Sequence, residues 1–209
     1  MIPVKVLAVR YLANAAPSLA KGLGAPKGYP SLAMLTTDCD DATYIALDAA
    51  TKAADVRVSY GRSFYAGAAN ASTPNAGEVI GVLAGQTPGA VRSGMEAALS
   101  ALNRVGFENL NGVPCLAHTV SSVGSFLAAE AGVAAGSAVA YLIAPPLEAM
   151  YAMDAALKAA DVKLCKLYAP PSETNFGGGL LSGTQSACDA ACGAFLAAVE
   201  EVARRPVED

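Results

Sequence analysis

Apolar positions along this chain switch between two rhythms, and the order of switching is repeated. Residues 4–11 are apolar and β-branched, which predicts a strand, and Asn14 is placed to cap a short helix ending near Lys21. Gly22, Gly24, Pro26, Gly28 and Pro30 make a loop before a strand over 32–36. A helical pattern follows Asp40 and Asp41, residue types suited to the N-cap position and, by charge, to the positive helix end; it stops at Asp55. Residues 56–60 alternate with period two, as a half-buried strand does. Residues 61–77 carry little apolar content and read as a long loop, and 78–84 as the next strand. Thr87 and Pro88 open a helix with a cap residue and a proline in its first turn, running to about Arg104.

The same order returns after a linker at 106–114. A strand is expected over 115–120, a helix over 124–131 and a strand over 138–144. A helix opening at Pro145-Pro146-Leu147-Glu148 follows, then a strand over 162–168, a loop over 170–179 and a short strand at Leu180-Leu181. Thr184 is the expected cap of the last helix. The wording repeats too. Residues 46–56 return as 152–162 with only two differing positions, and the weight falls on the pairs Asp48/Asp154, Lys52/Lys158, Asp55/Asp161 and Val56/Val162. A unit this long is a small domain duplicated in tandem, not a solenoid repeat, giving domains over 1–108 and 109–209. The predicted fold class is α/β, an α+β layer in which helices cover a mixed sheet, twice over. Two fused copies suit a ring of identical tiles.

Composition sharpens this picture. Hydrophobic residues make up 54% of the 209 and charged ones 15%, against about 25% charged in an average soluble domain. Two domains this small bury a limited share of their surface by themselves, so extensive protein–protein burial is expected. The longest apolar candidate, 133–144, is interrupted by Gly136 and Ser137 and runs into two prolines, too short to span a membrane. The start, Met-Ile-Pro-Val-Lys-Val, lacks the pattern of a secretory signal. With net charge −4 and no basic cluster beyond Arg204-Arg205, nucleic acid is not an expected partner. Five cysteines without framework spacing fit a reducing compartment.

Two features suggest sites. The acidic stretch Asp38-Cys39-Asp40-Asp41 stands between a strand and a helix start. Capping accounts for one carboxylate, but two adjacent ones exceed what a cap needs, and Glu148 holds almost the same place in the second copy. If the copies pack side by side, these acids converge on one small opening that would attract an ammonium ion. The loops 61–77 and 170–179, rich in Gly, Ala, Ser and Asn, fall at equivalent points that a threefold ring would bring to its axis. Cys188 and Cys192 share a helix face without zinc or iron–sulfur spacing, and His118 has no nearby nucleophile. No phosphate loop, dinucleotide fingerprint or Ser–His–Asp arrangement is present, so no catalytic residue, metal or cofactor is expected and the chain reads as non-enzymatic.

The repeated Asp-x-x-x-Lys-Ala-Ala-x-Val stretch, with Gly177-Gly-Gly-Leu-Leu-Ser-Gly183 and an Ala-rich helix behind it, resembles the core of bacterial microcompartment shell proteins. Four longer segments resemble the tandem-domain shell proteins of ethanolamine utilisation. They are Thr37-Asp-Cys-Asp-Asp-Ala-Thr-Tyr-Ile-Ala, Tyr60-Gly-Arg-Ser-Phe-Tyr-Ala-Gly-Ala-Ala, Ala140-Tyr-Leu-Ile-Ala-Pro-Pro-Leu-Glu-Ala and Pro170-Pro-Ser-Glu-Thr-Asn-Phe. The resemblance implies circularly permuted domains and a homotrimeric, pseudohexameric tile. It also implies assembly with other shell proteins in a microcompartment shell within the bacterial cytoplasm. It further implies a small acidic pore between the two domains where ethanolamine binds, lined by Asp40, Asp41, Glu78, Phe107, Glu148, Phe176, Gly177 and Gly178. The two loops would gate a central pore, with Tyr60, Phe64, Tyr65 and Asn175 contributing. The competing reading is a trimeric small-molecule sensor, which would remain a discrete oligomer where a tile forms sheets.

Overall fold

A computed structural model describes residues 1–64, 77–170, 172 and 174–207. Tyr65 and the rest of the first expected gating loop to residue 76 lie outside the described residues. The described residues form two compact units, one made of 3–106 with 124–127 and one made of 1–2, 107–123 and 128–209.

The first unit contains β1 (Val6–Leu12), α1 (Pro17–Gly22), β2 (Ser31–Thr37), α2 (Asp40–Ala53), β3 (Val56–Ser63), β4 (Val79–Gly85) and α3 (Pro88–Leu102). Its sheet has the order β1-β2-β4-β3. The second contains β5 (Glu108–Leu110), β6 (Val113–Val120), β7 (Ala138–Ala144), α5 (Pro146–Ala159), β8 (Val162–Tyr168), β9 (Gly177–Gly183) and α6 (Gln185–Arg204), with sheet order β5-β6-β7-β9-β8. The remaining helix, α4 (Ser125–Ala131), begins among the residues grouped with the first unit. The two sheets share one topology once β5 is set aside. One irregularity also matches, between Val58 and Tyr60 on β3 and between Leu164 and Lys166 on β8, whereas the shift between Val6 and Ala8 on β1 has no counterpart on β6.

Every described ladder is antiparallel, where the sequence suggested a mixed sheet. β4 inserts between β2 and β3, and β9 between β7 and β8, so the strands joined through the long helices α2 and α5 are not neighbours, while β1–β2 and β6–β7, joined through the short helices α1 and α4, pair antiparallel. Helices α2 and α3 pack together in the first unit, α5 and α6 in the second. Alanine permits that close approach: Ala42, Ala46, Ala50 and Ala98 are buried in one unit, Ala149, Ala152, Ala156 and Ala191 in the other.

Thr87 and Thr184 cap their helices as expected, accepting from the Ala90 and Ala187 amides at 3.2 Å each. Asn14 caps nothing; Ala16 occupies the N-cap of α1 without a side-chain bond. Asp40 and Asp41 fall in the first turn of α2, with Cys39 at the N-cap. Thr37 holds that corner instead, its hydroxyl accepting from the Cys39 amide at 3.1 Å and meeting the Thr43 hydroxyl at 2.7 Å. The linker at 106–114 contains a hairpin, β5 to β6, whose Asn111 and Gly112 both have positive φ (52° and 92°). That Asn-Gly pair is the turn signal the sequence reading passed over. Strand β9 extends three residues before Leu180, because Gly178 (φ 147°) lets two backbones meet: a Cβ there would lie 1.8 Å from the Leu142 carbonyl oxygen.

Candidate functional site

The end of β2, the start of α2 and the entry to β4 bring the acidic residues of the first unit together. Glu78 is anchored beside β2 by its amide, which donates to the Thr37 carbonyl at 2.8 Å, while its own carbonyl accepts from Phe64 at 3.0 Å. Asp40 and Asp41 are each 7% exposed, unusual burial for first-turn acids. Asp40 accepts from the Asp41 amide at 2.9 Å and from the Ser63 hydroxyl, and Ser63 in turn meets the Tyr44 hydroxyl at 2.7 Å. Asp38, at the same junction, accepts from the Lys5 amide at 2.7 Å.

The electrostatics follow from this crowding. Burial pushes the Asp40 carboxyl above its usual range, against the hydrogen bonds from Ser63 and Asp41 that favour its ionised form. Burial first, then repulsion by Asp40 and Asp38, pushes Glu78 up to about 6. The Cys39 thiol is driven far upward by burial and by Asp41, which makes it an inert neutral group here. Buried carboxyls whose ionisation is disfavoured by burial, and at Glu78 also by Asp40 and Asp38, favour any cation able to sit among them.

A pH dependence follows with a definite sign. Glu78 has a folded value of about 6 against an ordinary 4.5, so the stability it contributes is fully present below pH 4.5 and is lost as pH rises through about 6. Asp40 shifts in the same direction. Urea unfolding should therefore show Glu78→Gln gaining stability relative to wild type on going from pH 4.5 to about pH 8. An unchanged gap between the two proteins would refute the crowding.

In the second unit Phe107 and Phe176 meet edge to face, ring centroids 5.5 Å apart at 78°. Gly177 and Gly178 follow directly as buried residues at the start of β9. Glu148 is half-buried in the first turn of α5, the place expected from the repeat. The structure thus gathers Asp40, Asp41 and Glu78 in one unit, and Phe107, Phe176 and the glycines in the other. Tyr60 lies half-buried on β3 under the Arg62 guanidinium, 5.4 Å from its ring centroid, and Phe64 is 38% exposed just beyond the strand. Asn175, with φ 62°, turns the chain before Phe176. Cys188 and Cys192 are buried on α6, Cys192 meeting the Thr119 hydroxyl at 3.4 Å. His118 sits half-buried in β6 opposite Tyr141. Among the described residues no group of His, Cys, Asp and Glu has the arrangement of a metal site.

One constellation escaped the sequence reading. Asp48, on the repeated helix, is fully buried and accepts from the amides of Gly124 at 2.7 Å and Leu127 at 2.9 Å, with the Lys52 ammonium 3.5 Å away. Thr51 beside it accepts from the Ser125 amide at 3.1 Å. The signal available was the charged pair Asp48 and Lys52 inside an Ala-rich stretch, which reads as an exposed i,i+4 pair.

Comparison with known proteins supplies the context. Residues 31–119 match the BMC domain family. The chain is 55% identical to the bacterial microcompartment shell protein EutL of Clostridium perfringens, covering 99% of this chain and 97% of that protein. It is 47% identical to the protein of the same name from Salmonella typhimurium, over 100% and 97%. The crystal structure of the ethanolamine utilization protein EutL from Leptotrichia buccalis superposes with a TM-score of 0.97 at 54% identity, covering 100% and 98% of the two chains.

Proposed function

Since the chain belongs to the EutL family of bacterial microcompartment shell proteins, we propose that it is a trimeric, pseudohexameric tile of the ethanolamine-utilisation shell. In this reading it carries a gated central pore and a small acidic pore that binds ethanolamine. The observation that carries the pore reading is the crowding of Asp40, Asp41 and Glu78 at one strand–helix junction. Ethanolamine offers an ammonium group for those carboxylates and a hydroxyl for backbone groups, so both ends find partners. Phe107, Phe176, Gly177, Gly178 and Glu148 are the further residues that the family resemblance assigns to this site, and the edge-to-face Phe107–Phe176 pair is an apolar surface suited to the two methylenes.

The gate consists of the segments that follow β3 and precede β9, within the expected loops 61–77 and 170–179. Tyr60 and Phe64, at the entry to the first, and Phe176 in the second supply the few packing contacts that favour the closed arrangement, and Asn175 turns the second loop. Lys52 and Lys158 stand at the tile edges, where shell proteins meet side by side. The duplicated topology supports this reading: two copies per chain and three chains make six near-equivalent positions. Lys158→Glu, on a side chain 75% exposed, should leave the folded tile intact and weaken its growth into sheets, as seen by electron microscopy of concentrated protein. Wild-type protein that stays a discrete oligomer at high concentration would favour a sensor over a tile.

A further inference from the structure

The Asp40 carboxylate stands at the end of a short chain of hydroxyl groups drawn from two elements. Tyr44 lies four residues beyond Asp40 on α2 and so shares its face. Ser63 ends β3, paired with Val79 of β4 and therefore close to Glu78. The Tyr44 and Ser63 hydroxyls meet at 2.7 Å, and Ser63 donates to Asp40. A serine hydroxyl carries one hydrogen. Because Ser63 gives it to Asp40, Tyr44 is the donor in the 2.7 Å contact. Both protons then point toward the carboxylate, and each bond polarises the next.

The tyrosine ring is fixed by packing. Phe126 lies 5.9 Å from it, centroid to centroid, and Gly61 leaves room for it: a Cβ there would come within 3.2 Å of Tyr44 Cε1. The second copy of the repeat shows which of these features the fold itself requires. In the register that pairs Asp48 with Asp154, Asp40 falls on Pro146, Tyr44 on Met150, Gly61 on Leu167 and Ser63 on Ala169. The carboxylate, both hydroxyls and the glycine that admits the ring are absent together. Both copies nevertheless build the same strand order around the helix. The hydroxyls accompany the acid, and the shared fold forms without them.

We propose that Tyr44 and Ser63 are positioning residues of the acidic site, a two-hydroxyl relay that keeps the Asp40 carboxylate charged and aimed for an ammonium ligand. The role rests on the ethanolamine site proposed above and names what holds one of its acids ready. Asp40 needs such help. It is 7% exposed, and burial disfavours its charge. The ionisable groups around it are Asp41 and Cys39 at the start of its own helix, Tyr44 one turn on, and Glu78 at the entry to β4, which it repels. Against burial stand the bond from Ser63, first in size, and those from Asp41. A hydroxyl bound to an ionised carboxylate makes a stronger bond than a neutral pair does, so the relay favours the form that an ammonium group can use. Without it, the proton competes better with the ligand for the same oxygens.

The test uses the full chain and calorimetric titration with ethanolamine between pH 5 and pH 8. Tyr44→Phe keeps the ring beside Phe126 and removes only the hydroxyl; Ser63→Ala removes the second hydroxyl, and Ser63→Thr restores one. Tyr44→Phe and Ser63→Ala should each weaken binding by about tenfold at pH 5, shrinking to about twofold or less at pH 8, where Asp40 ionises without help. Ser63→Thr should bind like wild type. In an Asp40→Asn background neither substitution should cost anything further, because the group it acts through is gone. A loss equal at both ends of the pH range, or undiminished beside Asp40→Asn, would overturn the relay while leaving the ethanolamine site standing. If wild type binds no ethanolamine, the site itself fails. Carbon-13 NMR of the Asp40 carboxyl then still decides the relay: its titration should move to higher pH in both variants, and an unmoved midpoint would overturn it.

Discussion

Asp48→Ala is expected to destabilise the first unit by about 3 kcal/mol, the largest single-residue effect predicted for this chain. The side chain is fully buried, and its loss leaves the Gly124 and Leu127 amides without their acceptor at 2.7 and 2.9 Å. Hydrogen bonds to a charged group contribute about 1.5–3 kcal/mol each, and a buried donor left unpaired costs desolvation besides. The same substitution at Asp154, in the same local sequence, should change the stability of the isolated chain little, because its pair with Lys158 is solvated. Urea unfolding of the two variants below the concentration of assembly measures the contrast. Equal losses would mean that the Asp48 bonds do not carry the packing of 124–127.

The second large effect concerns the acidic junction. Replacing Asp40 and Asp41 together by asparagine should lower ethanolamine affinity by about tenfold or more, since two charge-assisted bonds to an ammonium become neutral ones. Affinity in the wild type should be modest, as a pore requires both entry and release, and should fall with added salt more steeply than in the variant. Binding should strengthen as pH rises through about 6, where Glu78 ionises. Calorimetric titration reads all three trends. Identical curves for wild type and double variant would reduce the two aspartates to first-turn charges interacting with the helix dipole.

Preference for one gate state would follow only if ethanolamine binds that state more tightly, since uniform binding moves no equilibrium. Preferential binding to the closed arrangement is the expectation here, because the acids stand at the junction from which Ser63 and Phe64 lead into the first gate loop. Asp40 accepts from Ser63 directly, which in the proposed reading would connect a ligand at the acids to that loop.

Local chemistry made much of the fold legible. The period-two run placed β3 and the repeat placed β8, Thr87 and Thr184 declared their helix starts, and the repeated Asp-x-x-x-Lys-Ala-Ala-Asp-Val stretch announced one topology used twice. These signals are local because the backbone geometry of a strand or a helix turn spans only a few residues. Asp40 and Asp41 could be nominated as candidate site residues for the same reason: they are adjacent in sequence. Their crowding by Glu78 could not, because a ladder between β2 and β4 brings residues 37 and 78 together.

Asp48 and Asp154 mark where sequence stops. Both sit in nearly identical stretches, with Lys four residues on and the same alanines around them. Propensity, periodicity and the i,i+4 pairing rule assign them the same place. Tertiary structure buries one under residues 124–127 and leaves the other 63% exposed. A helix face is buried or free according to what arrives from a distant part of the chain, or from another chain, and no pattern within the helix encodes that arrival.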